Sequence, residues 1–226
     1  MIKSGIDQDA IAKMFAQASA HQGDALRKAV SDMMLKALQG RELTLSNVRS
    51  VLKATTDAAS SGAAKNVLPA VDVEALLAKA TAGMDAALLQ AVQAHRKALQ
   101  QFVDQGVGVQ DKQMKSALAN IEKMEDMFFT TVSKAAAEAD VALKGPWEQV
   151  LSAMKMKGTD TGAQARASLE QLTAQAQSAL REGRAAGMRS AQAMMDSYAA
   201  LVSGVLIGMS DSLQQGAGAA PKARKK

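Results

Sequence analysis

No cysteine occurs anywhere in the 226 residues. Its absence excludes disulfides, thiolate metal sites and cysteine nucleophiles together, and it fits a reducing compartment. Proline is nearly as scarce. Only Pro69, Pro146 and Pro221 occur, each where the surrounding pattern already breaks. Aromatic residues make up 3% of the chain, so the core cannot rest on a set of aromatic anchors. The segment Met1-Ile2-Lys3-Ser4-Gly5-Ile6-Asp7 has no apolar run of the kind a signal peptide needs. The longest apolar stretch, Ala199 to Met209, is interrupted by Ser203 and falls short of the ~18 residues of a spanning helix. These absences together predict a soluble, cytoplasmic protein with no transmembrane segment.

What the chain does contain is alanine, roughly one residue in five, and alanine is the best helix former. Hydrophobic residues reach 48%, enough for a core. Alanine adds little transfer energy per residue but lets helix backbones approach closely, so the expected fold is all-α, a bundle of long amphipathic helices. The formal charge is +5. Lys222, Arg224, Lys225 and Lys226 supply four of the 27 basic residues, leaving 23 against 22 acids in the rest of the chain. A nucleic-acid-binding fold spreads its positive charge over a face, and this chain concentrates it in a tail.

Helical periodicity organises the sequence from end to end. A first stretch starts at Asp7 or Asp9 and carries Ile11, Phe15, Ala18, Leu26 and Ala37, with Gly23 kinking or dividing it and Gly40 ending it. A shorter helix begins near Leu45 and is expected to dissolve in Ser60-Ser61-Gly62. Asp72 is a good N-cap for the clearest helix, 72–105, whose stripe is Val73, Leu77, Ala80, Met84, Leu88, Val92, His95, Leu99 and Phe102. Gly106 and Gly108 end it. A second long helix, 111–144, has Met114, Leu118, Ile121, Met124, Phe128, Val132, Ala135, Ala139 and Leu143 as its buried face, with Gly145 stopping it and Pro146 opening the next. After Gly158-Thr159-Asp160-Thr161-Gly162 a final helix runs from Ala163 towards Leu213, weakened at Gly183 and Gly187. The domain reading is N-terminal helices over 1–66, a long-helix bundle over 67–215 that forms one domain with them, and a disordered basic tail over 216–226.

No motif carries chemistry in its required context. His21 and His95 are the two histidines, and neither stands three residues after a glutamate, as a di-iron bundle requires. His95 lies on the apolar stripe and reads as a hydrogen-bonded core histidine. Asp160-Thr161-Gly162 spells the aspartic-protease triplet, but it separates two helices, where Asp160 or Thr161 serves as a cap. Gly106-Val107-Gly108 lacks the third glycine of a dinucleotide loop, because Asp111 stands there. No catalytic, metal or cofactor site is expected, and the protein reads as non-enzymatic. Ala200, Gly204, Gly208 and Ser212 place small residues at every fourth position, a groove for close helix packing inside the chain or for self-association. Met33-Met34, Met124-Met127 and Met194-Met195 supply adaptable apolar filler, whether for the core or for a promiscuous surface. The tail cations Lys222, Arg224, Lys225 and Lys226 allow weak, salt-dependent contact with a polyanion or act for solubility alone.

The alanine-rich helices 72–105 and 111–144, the lack of cysteine, the few aromatics and the Pro/Ala/Lys ending over 219–226 resemble the phasins. These are small bacterial proteins that coat polyhydroxyalkanoate storage granules. The basic ending is shorter than the repeats of nucleoid-binding phasins, so the resemblance does not extend to linking a chromosome. It implies a non-catalytic coat whose amphipathic helices turn towards a hydrophobic granule or lipid-like surface, gaining ~25 cal/mol per Å² of apolar area buried. The other reading left by the residues is a helical scaffold or adaptor that forms a homo-oligomer or binds a helical protein partner.

Overall fold

The computed structural model describes residues 5–19, 22–39, 43–66, 71–104, 111–181 and 198–218. Eight α-helices and no strand occur among them: α1 Gln8–Gln17, α2 Gly23–Gln39, α3 Leu45–Ala64, α4 Val73–Asp104, α5 Lys112–Ala137, α6 Val141–Lys157, α7 Asp160–Arg181 and α8 Tyr198–Gly218. The all-α bundle expected from the periodicity is therefore the observed fold. The segment around Val67, Leu68 and Pro69, the glycines at 106, 108, 183 and 187, His21, Met194-Met195 and the tail cations lie outside the described residues.

Side-chain caps set several helix starts. Asp7 accepts from the Ala10 N–H at 2.9 Å, Thr44 from Asn47 at 3.3 Å, Asp72 from Ala75 at 3.0 Å and Asp111 from Met114 at 3.1 Å. At the other end of α1, the Asn66 amide donates to the Phe15 and Ala18 carbonyls, the Phe15 carbonyl also accepting the Ala18 N–H at 3.4 Å. Buried threonines on α3 and α4 return their hydroxyls to their own helix, as Thr55 does to the Val51 carbonyl and Thr56 to Leu52.

Three boundaries differ from the sequence reading. Helix α3 does not dissolve at Ser60-Ser61-Gly62 but continues to Ala64. There α1 crosses so closely that a Cβ at Gly62 would run into the Ala12 carbonyl oxygen, and Ser60 accepts a hydrogen bond from the buried Trp147 indole at 3.0 Å. The helix expected over 111–144 ends at Ala137. Asp140 caps a new helix by accepting from the Ala142 N–H, so Leu143 belongs to α6 and Pro146 lies inside that helix. Helix α8 extends to Gly218, three residues into the expected disordered tail; of the final helix expected from Ala163 towards Leu213, residues 182–197 lie outside the described residues.

Helix α4 is the centre of the molecule. It packs against α2, α3, α5, α6, α7 and α8, and its stripe from Leu77 through Met84, Leu88, Val92 and Leu99 to Phe102 is wholly buried. Alanines at 80, 87, 91, 94 and 98 are also fully buried, which spreads the contact surface around most of the helix. Gly83 marks the tightest crossing: a Cβ there would sit 2.5 Å from the Arg27 carbonyl of α2. By length and composition α4 could cross a membrane, with a mean hydropathy of 1.2 over its most apolar window, but 61% of that window is buried inside the protein. The core is continuous, joining Ile11 of α1 to Leu206 of α8.

A polar junction fixes α7 to the middle of this core. The Asp85 carboxylate, buried on α4, accepts the Asp160 N–H at 2.9 Å and the Thr161 N–H at 3.2 Å. Thr159, rather than Asp160 or Thr161, is the cap within the chain, its hydroxyl accepting from the Gly162 N–H at 2.9 Å. That hydroxyl donates in turn to Glu125 of α5 at 2.6 Å, and Arg166 pairs with the other Glu125 oxygen at 3.3 Å. The first turn of α7 thus receives two carboxylates from neighbouring helices, matching the positive end of its dipole. Asp85→Ala should lower unfolding stability by about 1–3 kcal/mol, because it strands two backbone donors in a buried place. Chemical denaturation measures this, and a change within ~0.5 kcal/mol would show that the junction carries no stability.

Candidate functional site

The row expected to pack closely, Ala200, Gly204, Gly208 and Ser212, occupies the outward side of α8. Val202 and Leu206 are fully buried against the body, and a helix turns about 200° over two residues, so Ala200 and Gly204 face away. Ala200, Gly204 and Gly208 are exposed, and a Cβ built at Gly204 or Gly208 meets nothing within 4 Å. The Ser212 side chain lies outside the described set. Among the described residues, no close crossing is seen at Gly204 or Gly208, whereas Gly62 and Gly83 each mark one. Ile207, 40% exposed, stands beside the row, and Leu201 and Val205 flank it half-buried. The helix contains no lysine or arginine, and Asp211 is its one charged residue. An outward face that is smooth, apolar and nearly uncharged results.

Where α8 begins, a second cluster holds it to α4. The Tyr198 hydroxyl lies 2.7 Å from His95 Nδ1, and the Tyr198 ring tilts against both His95 and Phe102 at 5.6 and 6.3 Å between centroids. Burial lowers the His95 imidazole to about 4 and pushes the Tyr198 phenol up. A neutral imidazole accepting from the phenol at Nδ1 carries its own proton on Nε2. His95 is thus the core histidine that its place on the stripe implied. Its partner was not foreseen, since nothing local marks a tyrosine 103 residues away as the one that will meet it.

The described residues contain no group of three His, Asp or Glu side chains that could hold a metal. The polar junction at Asp85 and Glu125 spends its carboxylates on the α7 backbone and on Arg166. A surface groove of about 620 Å³ runs between α3 and α5, beside the ion pair that Lys53 makes with Glu138 at 2.9 Å. That pair raises the Lys53 ammonium and lowers the Glu138 carboxyl through their mutual hydrogen bond.

Two predictions follow from these contacts. Gly83→Ala should destabilise by about 1–3 kcal/mol through overpacking, whereas Gly204→Ala should stabilise by about 0.5–1 kcal/mol through helix propensity alone. Equal effects at the two positions in thermal or denaturant unfolding would contradict the placement of α8. The His95 imidazole binds its proton less readily in the folded chain (about 4) than in the unfolded chain (6.5). Its contribution is then complete above pH 6.5 and fades as pH falls towards 4, by roughly 3 kcal/mol in total. Unfolding free energies between pH 7 and 5 should fall more steeply for the wild type than for His95→Gln; parallel curves would show that His95 is not buried neutral.

No curated protein and no solved structure matches the chain. A family model does: it describes a family of unknown function, DUF6781, and it matches residues 1–215. With nearly its whole length covered, the chain belongs to the DUF6781 family.

Proposed function

We propose that this protein is a non-catalytic structural protein of the cytoplasm that coats a hydrophobic surface, such as that of a storage granule, through α8. The observation that carries this reading is the unequal burial of its two most apolar helices. Turning α4 outward would expose Leu77, Met84, Leu88, Val92, Leu99 and Phe102, all fully buried. At about 1.5–3 kcal/mol for each side chain, that cost reaches or exceeds the ~5–15 kcal/mol stability of a whole domain. Among the described residues, helix α8 commits the apolar side chains of Val202 and Leu206 fully to the body, about 3–6 kcal/mol of area burial beside the Tyr198 contact with His95, a cost that a new apolar contact offsets. The long amphipathic helices then serve as the rigid body and α8 as the contact element.

A second reading is favoured by the four-residue spacing of Ala200, Gly204 and Gly208. Small residues on an outward face suit another helix better than a polymer surface, which supports self-association into a scaffold through α8. Flotation with polyhydroxybutyrate particles separates the two. The coat reading expects wild-type protein on the particles at several hundred millimolar salt, since area burial is not screened. Val205→Asp with Ile207→Asp should release it while the circular dichroism stays helical. Protein that remains in solution, or that binds only at low salt, contradicts the coat. Concentration-dependent dimerisation abolished by Gly204→Arg, without particle binding, establishes the scaffold.

A further inference from the structure

We propose that the groove between α3 and α5 is a docking site for an acidic amphipathic helix of a partner protein. Its α5 wall runs from Lys123 to Ala135, about 18 Å of helix, with Glu138 just past the helix end, and its volume is about 620 Å³. The floor is apolar. Met127, Thr131 and Ala135 are buried there, and half-buried Leu45 lines the α3 side. Methionine adapts to the shape of an incoming apolar side chain. The steps from Lys123 to Met127, Thr131 and Lys134 are of three and four residues, which places floor and rim along one face of α5.

The rim carries the argument for the occupant. Arg49 and Lys53 stand on the α3 side, Lys123 and Lys134 on the α5 side, all exposed. Lys53 is committed to Asp57 and Glu138. Arg49, Lys123 and Lys134 make no ion pair among the described residues, and Asp126 is the one acid on the rim besides Glu138. The groove therefore holds a local surplus of positive charge on a body whose totals nearly cancel. Lys123 and Lys134 are about 16 Å apart along α5, with Arg49 across from them. One small anionic headgroup needs cations that converge, and these are spread along both walls. Single-strand bases are held by stacking on aromatic side chains, and this floor offers methyl and thioether groups. A helix with one apolar stripe and acids on both flanks satisfies floor and rim together.

The test uses the full chain and a fluorescein-labelled synthetic 16-residue helix with leucines on one face and glutamates on both flanks. Fluorescence anisotropy should show saturable binding that weakens with salt, and a scrambled peptide of the same composition should not bind. Arg49→Glu with Lys134→Glu should weaken binding by about tenfold or more, since each lost pair becomes a repulsion. Both positions are exposed, and circular dichroism checks that the helices remain. A charge-swapped peptide, lysines replacing the glutamates, should bind this double variant better than the wild type, an outcome no unfolded protein gives. Equal binding of the scrambled peptide, or unchanged affinity in the double variant, overturns the proposal. So does tighter binding of myristate or single-stranded DNA that depends on the same two residues.

Discussion

A 32-residue helix enclosed by six others leaves few positions where a large side chain can stand without a neighbour. Helix α4 meets this constraint with small residues. Ala80, Gly83, Ala87, Ala91, Ala94 and Ala98 are all buried, and they let surrounding helices approach a backbone that leucines would hold apart. The alanine content of the chain, unusual as a source of hydrophobic energy, makes sense as a source of proximity. The polar groups drawn into that dense packing must then be satisfied on the spot. Asp85 accepts the first N–H groups of α7, Trp147 donates to Ser60, and His95 meets Tyr198, so each of these three contacts joins one helix to another.

Most of this architecture was legible from periodicity. The stripe from Leu77 to Phe102 reads correctly because leucine, methionine and valine repeat at three and four residues, and the Asp72 cap reads correctly because its side chain acts locally. Where the sequence misled, a distant contact had overridden a local signal. Ser60-Ser61-Gly62 looks like a helix end, but Gly62 is small because α1 presses on it. The 111–144 pattern looks unbroken because Ala139 and Leu143 continue the spacing, whereas Asp140 starts a new helix between them. Gly204 and Gly208 look like packing glycines, and no local rule says on which side of α8 they fall.

Site information was less legible for the same reason. The α3–α5 groove is assembled from residues some 80 positions apart, and neither segment is basic enough alone to draw notice. What marks the groove is three cations that make no ion pair among the described residues, beside an apolar floor, a property of the assembled surface. The two surfaces differ in chemistry as well. Helix α8 offers an apolar face almost without charge, and the groove offers spread positive charge around methyl groups. A protein that sits on an apolar surface through one and recruits an acidic helix through the other would join the two.

The proposed coat requires α8 to change its contacts while the body around α4 keeps its own. Hydrogen–deuterium exchange resolved by peptide, with and without polyhydroxybutyrate particles, tests it directly. In the free chain, α8 amides should exchange well before those of α4, because local opening costs less where fewer apolar contacts are lost. On particles, α8 should gain protection while Leu77–Phe102 stays unchanged. Deprotection of α4 on the particles, or protection of α8 equal to that of α4 in solution, would contradict the account.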